Sequence, residues 1–122
     1  MRFLFVVLAI VMVALGADTV ATYALPKVTP ELKKESYDFY NNECKGCHRW
    51  ARKFAAPAMS ENVAQYKNNG RGLVKYLMDP KPIHPDQWSP MEIPPLTEVQ
   101  AQRLASWLLY LLDNPNDETR PK

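Results

Sequence analysis

The sequence lacks the features that characterise sheet proteins, repeat proteins and most enzymes. No segment alternates apolar and polar residues over the length of a strand, which argues against a β-sheet. With no internal repeat and no low-complexity tract, the 122 residues fit one small domain. No nucleophile–base pair or pair of carboxylates is evident, so we predict that the protein is not an enzyme.

Cysteine and histidine are also scarce, with two of each, and three of the four stand together in Cys44-Lys45-Gly46-Cys47-His48. A disulfide between Cys44 and Cys47 would close a tiny loop and restrain the unfolded chain little. A thioredoxin-like redox pair needs a βαβ setting, which the pattern lacks. A zinc site would require all four residues including His84, and the neighbours Cys47 and His48 do not easily reach one tetrahedral centre.

The interpretation that this motif favours is a covalently attached c-type haem. Two thiols three residues apart lie on one turn of backbone and can form thioethers with the two vinyl groups of one haem. The next residue, His48, then lies beneath the ring and offers an imidazole nitrogen to the iron. We therefore expect one haem c, attached through Cys44 and Cys47, with His48 as an iron ligand.

The one long apolar run lies at the N-terminus. Met1-Arg2 is followed by thirteen apolar residues (3–15), then by Gly16-Ala17 and by small residues around Ala21 and Ala24, which is the layout of a secretory signal. A membrane span needs roughly 20 apolar residues, so this run is short for one. We predict a signal peptide over residues 1–24, with Ala21 as a second possible cleavage point, and a haem domain over 25–122. Export would place that domain in the periplasm or another oxidising compartment; the alternative is a retained membrane anchor facing the periplasm.

Helical signals account for most of the predicted domain, whose fold class is all-α with long loops. Thr29-Pro30-Glu31 is typical of a helix start, and this helix should run to about Asn42. Its buried stripe is predicted to be Leu32, Ser36 and Tyr40. Two short helices are predicted over residues 61–67 and 72–78.

The last helix has the clearest signals. The capping box from Thr97 to Gln100 predicts its start, and Asn114-Pro115 its end. Apolar residues at helical spacing predict its buried face, namely Leu104, Trp107, Leu108 and Leu111. We expect the C-terminal tail (residues 114–122) to fray.

A proline segment (residues 80–95) separates the last two helices and contains six of the eleven prolines. No helix or central strand survives that density, but the segment can be stiff without being regular. Met91 lies within it and can present a thioether to the iron, so we predict Met91 as the sixth ligand. Its rivals are Met59, Met78 and His84, and we expect Met78 to be a core residue.

Charge is unevenly distributed although the net charge is only +2. The basic zone (residues 45–81) has eight cations and two anions, whereas residues 113–118 are acidic. We predict a redox partner protein with an acidic docking surface and no nucleic-acid partner; an ordinary solvated surface is the alternative explanation. A membrane partner is expected only if the N-terminal segment is retained.

Residues 30–113 resemble the class I c-type cytochromes. Ser36 and Tyr40 before the haem motif are similar to the small and aromatic residues that let the first and last helices of that family cross closely. Trp107 resembles the aromatic residue that the last helix supplies to this crossing. The resemblance implies a small cytochrome c fold, with short middle helices and long loops around one haem.

The stretch Tyr76 to Lys81, followed by Pro85 and Met91, is similar to the Y-L-x-N-P-K…P…M stretch of mitochondrial-type members. The resemblance implies that Met91 is the distal ligand and that the Tyr76 hydroxyl points toward its sulfur. It also implies that the Pro57 carbonyl accepts a hydrogen bond from His48. Trp88 resembles a tryptophan that contacts a haem propionate in short bacterial members. The chain departs from the family in having Asp79 in place of Asn, a loop two residues longer, and Glu92-Ile93 between Met91 and Pro-Pro.

A haem with both axial positions filled by protein has no open place for a substrate. We therefore expect a periplasmic electron-transfer protein with a His/Met six-coordinate haem. The alternatives are a cytochrome subunit of a periplasmic or membrane-bound oxidoreductase and, if Met91 is easily displaced, a haem sensor that binds small ligands.

Overall fold

Four α-helices and no strand are found in residues 23–82 and 85–122, the part of the chain that the computed structural model describes. The all-α class is therefore confirmed for this part. The predicted signal peptide (residues 1–24) lies outside it except for Tyr23 and Ala24, and so does His84. Within the described ranges, none of the helices combines the length and apolar character that a membrane crossing requires.

Helix α1 (Pro30–Phe39) starts where the sequence predicts and ends in a π-helical turn (Tyr40–Cys44). The Thr29 hydroxyl accepts a hydrogen bond from the Leu32 amide at 3.2 Å, which is a standard N-cap. The Lys45 amide donates to the Tyr40 carbonyl at 2.9 Å, the i→i+5 bond of a π turn. The predicted stripe of Leu32, Ser36 and Tyr40 is buried.

Helices α2 (Met59–Ala64) and α3 (Gly70–Met78) both begin two residues earlier than predicted. The Asn69 side chain accepts a hydrogen bond from the Gly72 amide at 2.9 Å, so it caps α3 and sets its start.

The expectation that Met78 is a core residue is wrong, because Met78 is 42% exposed. The buried face of α3 consists of Leu73, Val74 and Leu77. Met78 is one residue beyond Leu77 and is therefore rotated by about 100° away from that face.

Helix α4 (Glu98–Asp113) is the centre of the fold and contacts each of the other three helices. Both bonds of the predicted capping box are present: the Gln100 side chain accepts from the Thr97 amide at 2.9 Å, and the Thr97 hydroxyl accepts from the Gln100 amide at 3.2 Å. All four predicted core residues of α4 are buried, and Trp107 is fully so: Leu104, Trp107, Leu108 and Leu111.

The expectation that the C-terminal tail frays is also wrong. The Asp117 carboxylate accepts four hydrogen bonds: from Lys33 Nζ of α1 at 2.6 Å, from the Tyr110 hydroxyl at 3.0 Å, and from the Thr119 amide and hydroxyl at 2.9 and 2.6 Å. The Thr119 hydroxyl in turn accepts from Trp107 Nε1 at 2.9 Å. These polar contacts join residues far apart in sequence, which is why the composition of the tail did not predict them.

Candidate haem site

A cleft of about 610 Å³ opens between the loop after the Cys-x-x-Cys-His motif and the proline segment. An inner cavity of about 60 Å³ adjoins it, walled mainly by apolar residues of α1 to α4. Four residues line both spaces: His48, Asn62, Tyr76 and Met91. The outer volume lies within the roughly 300–1,000 Å³ that cofactor sites typically have.

The cysteine motif wraps one turn of backbone, as the spacing predicts. The amides of Cys47 and His48 donate to the Cys44 carbonyl at 3.2 and 2.9 Å. Both cysteines are free thiols; Cys44 is buried on the inner cavity, whereas Cys47 is exposed on the outer cleft. Burial raises the pKa of the Cys44 thiol to about 12, which opposes the low-pKa thiolate that redox-active Cys-x-x-Cys pairs require.

His48 is held by its backbone, and its ring faces the cleft. Its carbonyl accepts hydrogen bonds from the Tyr40 hydroxyl and from the Arg49 guanidinium, both at 3.0 Å. Burial lowers the pKa of His48, and the nearby Pro57 carbonyl offsets part of this effect. The imidazole is therefore neutral at pH 7, which is the form that binds metals.

One nitrogen of the His48 ring lacks a partner. Nδ1 is buried, and no described residue lies within hydrogen-bonding geometry of it, although the Pro57 carbonyl is near enough to affect the ring's pKa. A buried polar atom without a partner is costly, and a tightened hydrogen bond from Nδ1 to the Pro57 carbonyl would relieve that cost and leave Nε2 for a metal. The residues of the cleft therefore fit a haem bound through His48.

The structure brings all the predicted site residues to this cleft. His48, Tyr76 and Met91 line both spaces, Cys44 lines the inner cavity, and three residues line the outer cleft: Cys47, Pro57 and Trp88. Of the rival ligands that are described, Met59 lines the inner cavity and Met78 lines neither space. No three His, Cys, Asp or Glu side chains converge as a metal site within residues 23–82 and 85–122.

Sequence reasoning missed several residues around the cleft. Tyr66 packs beside Tyr76, with ring centroids 6.2 Å apart, and Asn62 lines both spaces. Burial raises the pKa of Tyr76, with a smaller contribution from Tyr66, so its hydroxyl stays protonated and can donate a hydrogen bond. Lys53 places its ammonium 5.0 Å from the centroid of the Trp88 ring. These contacts belong to no sequence motif, so the spacing of the residues in the sequence could not predict them.

The cations of the basic zone fall into two groups. Lys67 pairs with Asp113 at 3.7 Å, and Lys81 pairs with Asp79 at 3.3 Å. The other six cations have no carboxylate partner among the described residues: Lys45, Arg49, Arg52, Lys53, Arg71 and Lys75. Four of these six lie in residues 45–53, the stretch that includes Cys47 and His48 of the outer cleft.

Comparisons of the chain with protein-family models, with curated proteins and with solved structures found no match.

Proposed function

We propose that the protein is an exported electron carrier with one haem c in a small cytochrome c fold. The observation that carries this proposal is the convergence on one cleft. Four of the predicted side chains were chosen for haem chemistry and three (Pro57, Tyr76 and Trp88) for the resemblance, and all seven line a cleft and cavity of suitable size. The seven come from the cysteine motif, the loop of Pro57, α3 and the proline segment, so their proximity depends on the fold.

The chain's own residues would divide the work of holding the haem. Cys44 and Cys47 would attach the haem through thioethers, His48 and Met91 would hold its iron, and the bound iron would supply a one-electron redox couple. Pro57 would orient the His48 ring through its carbonyl, and Tyr76 would donate its hydroxyl toward Met91. Because His48 and Met91 would both hold the iron, the proposed site would leave no place for a substrate and would act by exchanging electrons.

The α1–α4 contact supports the proposed fold and the site together. The Tyr40 and Trp107 rings lie 6.3 Å apart at this contact, and both line the inner cavity. Tyr40 also donates to the His48 carbonyl. The same pair of aromatic rings therefore joins the first and last helices and forms one wall of the proposed haem site.

The proposed route for electrons is the exposed side of the cleft. Cys47 is exposed there, and the four unpaired cations of residues 45–53 lie beside it. A partner with an acidic surface would be attracted to this side, and its association rate would fall as salt rises. The electron-transfer rate with the physiological partner should therefore depend on ionic strength, and a rate that ignores salt would contradict this part of the proposal.

A visible spectrum of the exported, purified protein tests the proposal. We expect a c-type haemochrome whose haem stays attached after denaturation and is lost from a Cys44→Ala/Cys47→Ala variant. The ferric protein should have the weak sulfur-to-iron band of a His/Met haem. Met91→Ala should abolish this band, and the controls Met59→Ala, Met78→Ala and His84→Ala should retain it. A protein matured with the c-type attachment machinery that carries no covalent haem would overturn the proposal.

A further inference from the structure

The proline segment, which carries Met91, has few connections to the rest of the molecule. Among the described residues, no hydrogen bond joins residues 80–82 or 85–95 to the remainder of the chain, and the ion pair of Lys81 is with its neighbour Asp79. Its prolines have no N–H to donate, which removes part of the usual means of anchoring a loop. Local backbone restriction and side-chain packing must therefore hold Met91 in place.

One specific contact joins two segments that line the outer cleft. Lys53 belongs to the loop that continues into Ala55, Ala56 and Pro57, which line the outer cleft together with Trp88. The Lys53 ammonium lies 5.0 Å from the Trp88 ring centroid, within the range of a cation–π interaction. A second such contact, between Arg49 and Phe54, lies within a single loop and cannot connect the two segments.

Trp88 is well placed to pass this restraint on to Met91. Only Ser89 and Pro90 separate the two residues, and the proline ring fixes one of the backbone angles between them. All four residues from Trp88 to Met91 line the outer cleft. A displacement of Trp88 outward would therefore carry Met91 with it.

We propose that Lys53 and Trp88 are positioning residues that hold Met91 over the cleft and limit the access of small ligands to the iron. This inference rests on the proposed function, since it concerns the sixth ligand of that haem. A cation–π contact at an exposed site shifts an equilibrium by about two- to fivefold. Loss of the contact should therefore raise the affinity for an external ligand that displaces Met91 by a similar factor.

The primary test is imidazole binding to the ferric full-length protein at about pH 8, where imidazole is neutral. Lys53→Met, which keeps the aliphatic stem, should lower the imidazole Kd about two- to fivefold. Lys53→Arg keeps a cation over the ring and should have the same imidazole Kd as the original protein. The matched control Arg52→Met removes the same charge from the neighbouring residue and should leave the Kd unchanged.

Backbone order parameters of residues 86–92, measured by NMR relaxation, give a second readout that does not depend on haem. Lys53→Met should lower these order parameters, whereas Arg52→Met should not. An equal effect of Lys53→Met and Arg52→Met, or order parameters that are the same in Lys53→Met and the original protein, would overturn the inference. If no variant carries haem but the order parameters respond only to Lys53→Met, the proposed function fails and the structural role of the contact stands.

Discussion

The two segments that flank α4 are held in opposite ways. The C-terminal tail, directly after α4, is fixed by the four hydrogen bonds to Asp117 and by the Trp107–Thr119 bond. The proline segment, which ends just before α4, makes no hydrogen bond to the rest of the described chain. The molecule therefore concentrates its specific polar bonds on the tail and leaves the Met91 segment to proline stiffness, packing and the Lys53–Trp88 contact.

This difference indicates that the tail and the proline segment have different roles. The tail joins α1 to α4 through Lys33 and Tyr110 and reaches the inner cavity through Trp107 and Tyr40. Changes in the tail should therefore alter the stability of the whole domain. Changes in the proline segment should mainly alter how firmly Met91 is held, since few other contacts depend on it.

The largest effect is expected for Asp117→Ala. The Asp117 side chain is only 6% exposed, and its removal leaves the Thr119 and Tyr110 donors without their acceptor. We expect the free energy of unfolding, measured by urea denaturation, to fall by about 2–3 kcal/mol. The control Asp38→Ala breaks an exposed ion pair with Lys34 and should have a much smaller effect. Equal losses in the two variants would mean that the tail network adds no stability of its own.

The Asp117 carboxylate should also make the stability of the protein depend on pH in the acidic range. Burial alone would raise the pKa of Asp117, but the hydrogen bonds from Lys33, Thr119 and Tyr110 outweigh it and hold the pKa well below the ordinary value of 3.8. A group whose pKa is lower in the folded state stabilises the fold above its unfolded pKa, and this stabilisation is lost as the pH falls toward the folded pKa. The difference in stability between the original protein and Asp117→Asn should therefore be constant above about pH 5 and shrink below 3.8.

Thermal melts of both proteins between about pH 7 and pH 3 check this expectation. Taking the difference in stability between the two proteins removes the contribution of the other carboxylates, because these titrate in both proteins. A difference that stays constant down to pH 3, or grows, would contradict the predicted shift of the Asp117 pKa.

A smaller effect is expected for Thr119→Val, which keeps the shape of the side chain but removes its hydroxyl. The indole N–H of Trp107 would then be buried without an acceptor, because Trp107 is fully buried. We expect a loss of about 1–2 kcal/mol in the free energy of unfolding. In a Trp107→Phe background, where no indole N–H remains, Thr119→Val should cost less; the same loss in both backgrounds would assign its effect to Asp117 instead.

The smallest effect on stability is expected for Pro90→Ala in the proline segment. Releasing one backbone restraint should lower the free energy of unfolding by about 0.4–1 kcal/mol, mainly by raising the entropy of the unfolded chain. Imidazole affinity should rise in this variant because Met91 is held less firmly. The control Pro115→Ala, in the hydrogen-bonded tail, should leave imidazole affinity unchanged, and a rise in both variants would remove the contrast between the two segments.

Much of the fold could be predicted because its signals are local. The Thr29 cap, the Thr97–Gln100 capping box and the buried stripes of α1 and α4 all depend on residues within one or two helical turns. The starts of α2 and α3 were each predicted two residues late. The assignment of Met78 to the core was wrong because a rotation by one residue on a short helix decides which side is buried.

The candidate site likewise has one part that the sequence predicts and another that only the structure shows. The pattern from Cys44 to His48 predicts covalent haem attachment because that chemistry needs a fixed spacing, so it can be recognised without a structure. The contacts of Lys53 with Trp88 and of Tyr66 with Tyr76 join residues with no such spacing, and they became visible only in the folded chain.

The sequence by itself therefore determined the helical pattern and the caps of α1 and α4 and predicted the Cys44 to His48 motif, because each depends on near neighbours in the chain. Tertiary structure decided that the C-terminal tail is anchored and that the Met91 segment is attached so sparsely. The physical reason is that an acceptor such as Asp117 finds its donors, Lys33 and Tyr110, only after α1 and α4 have packed. Proline composition predicts a stiff segment but not which loop it contacts.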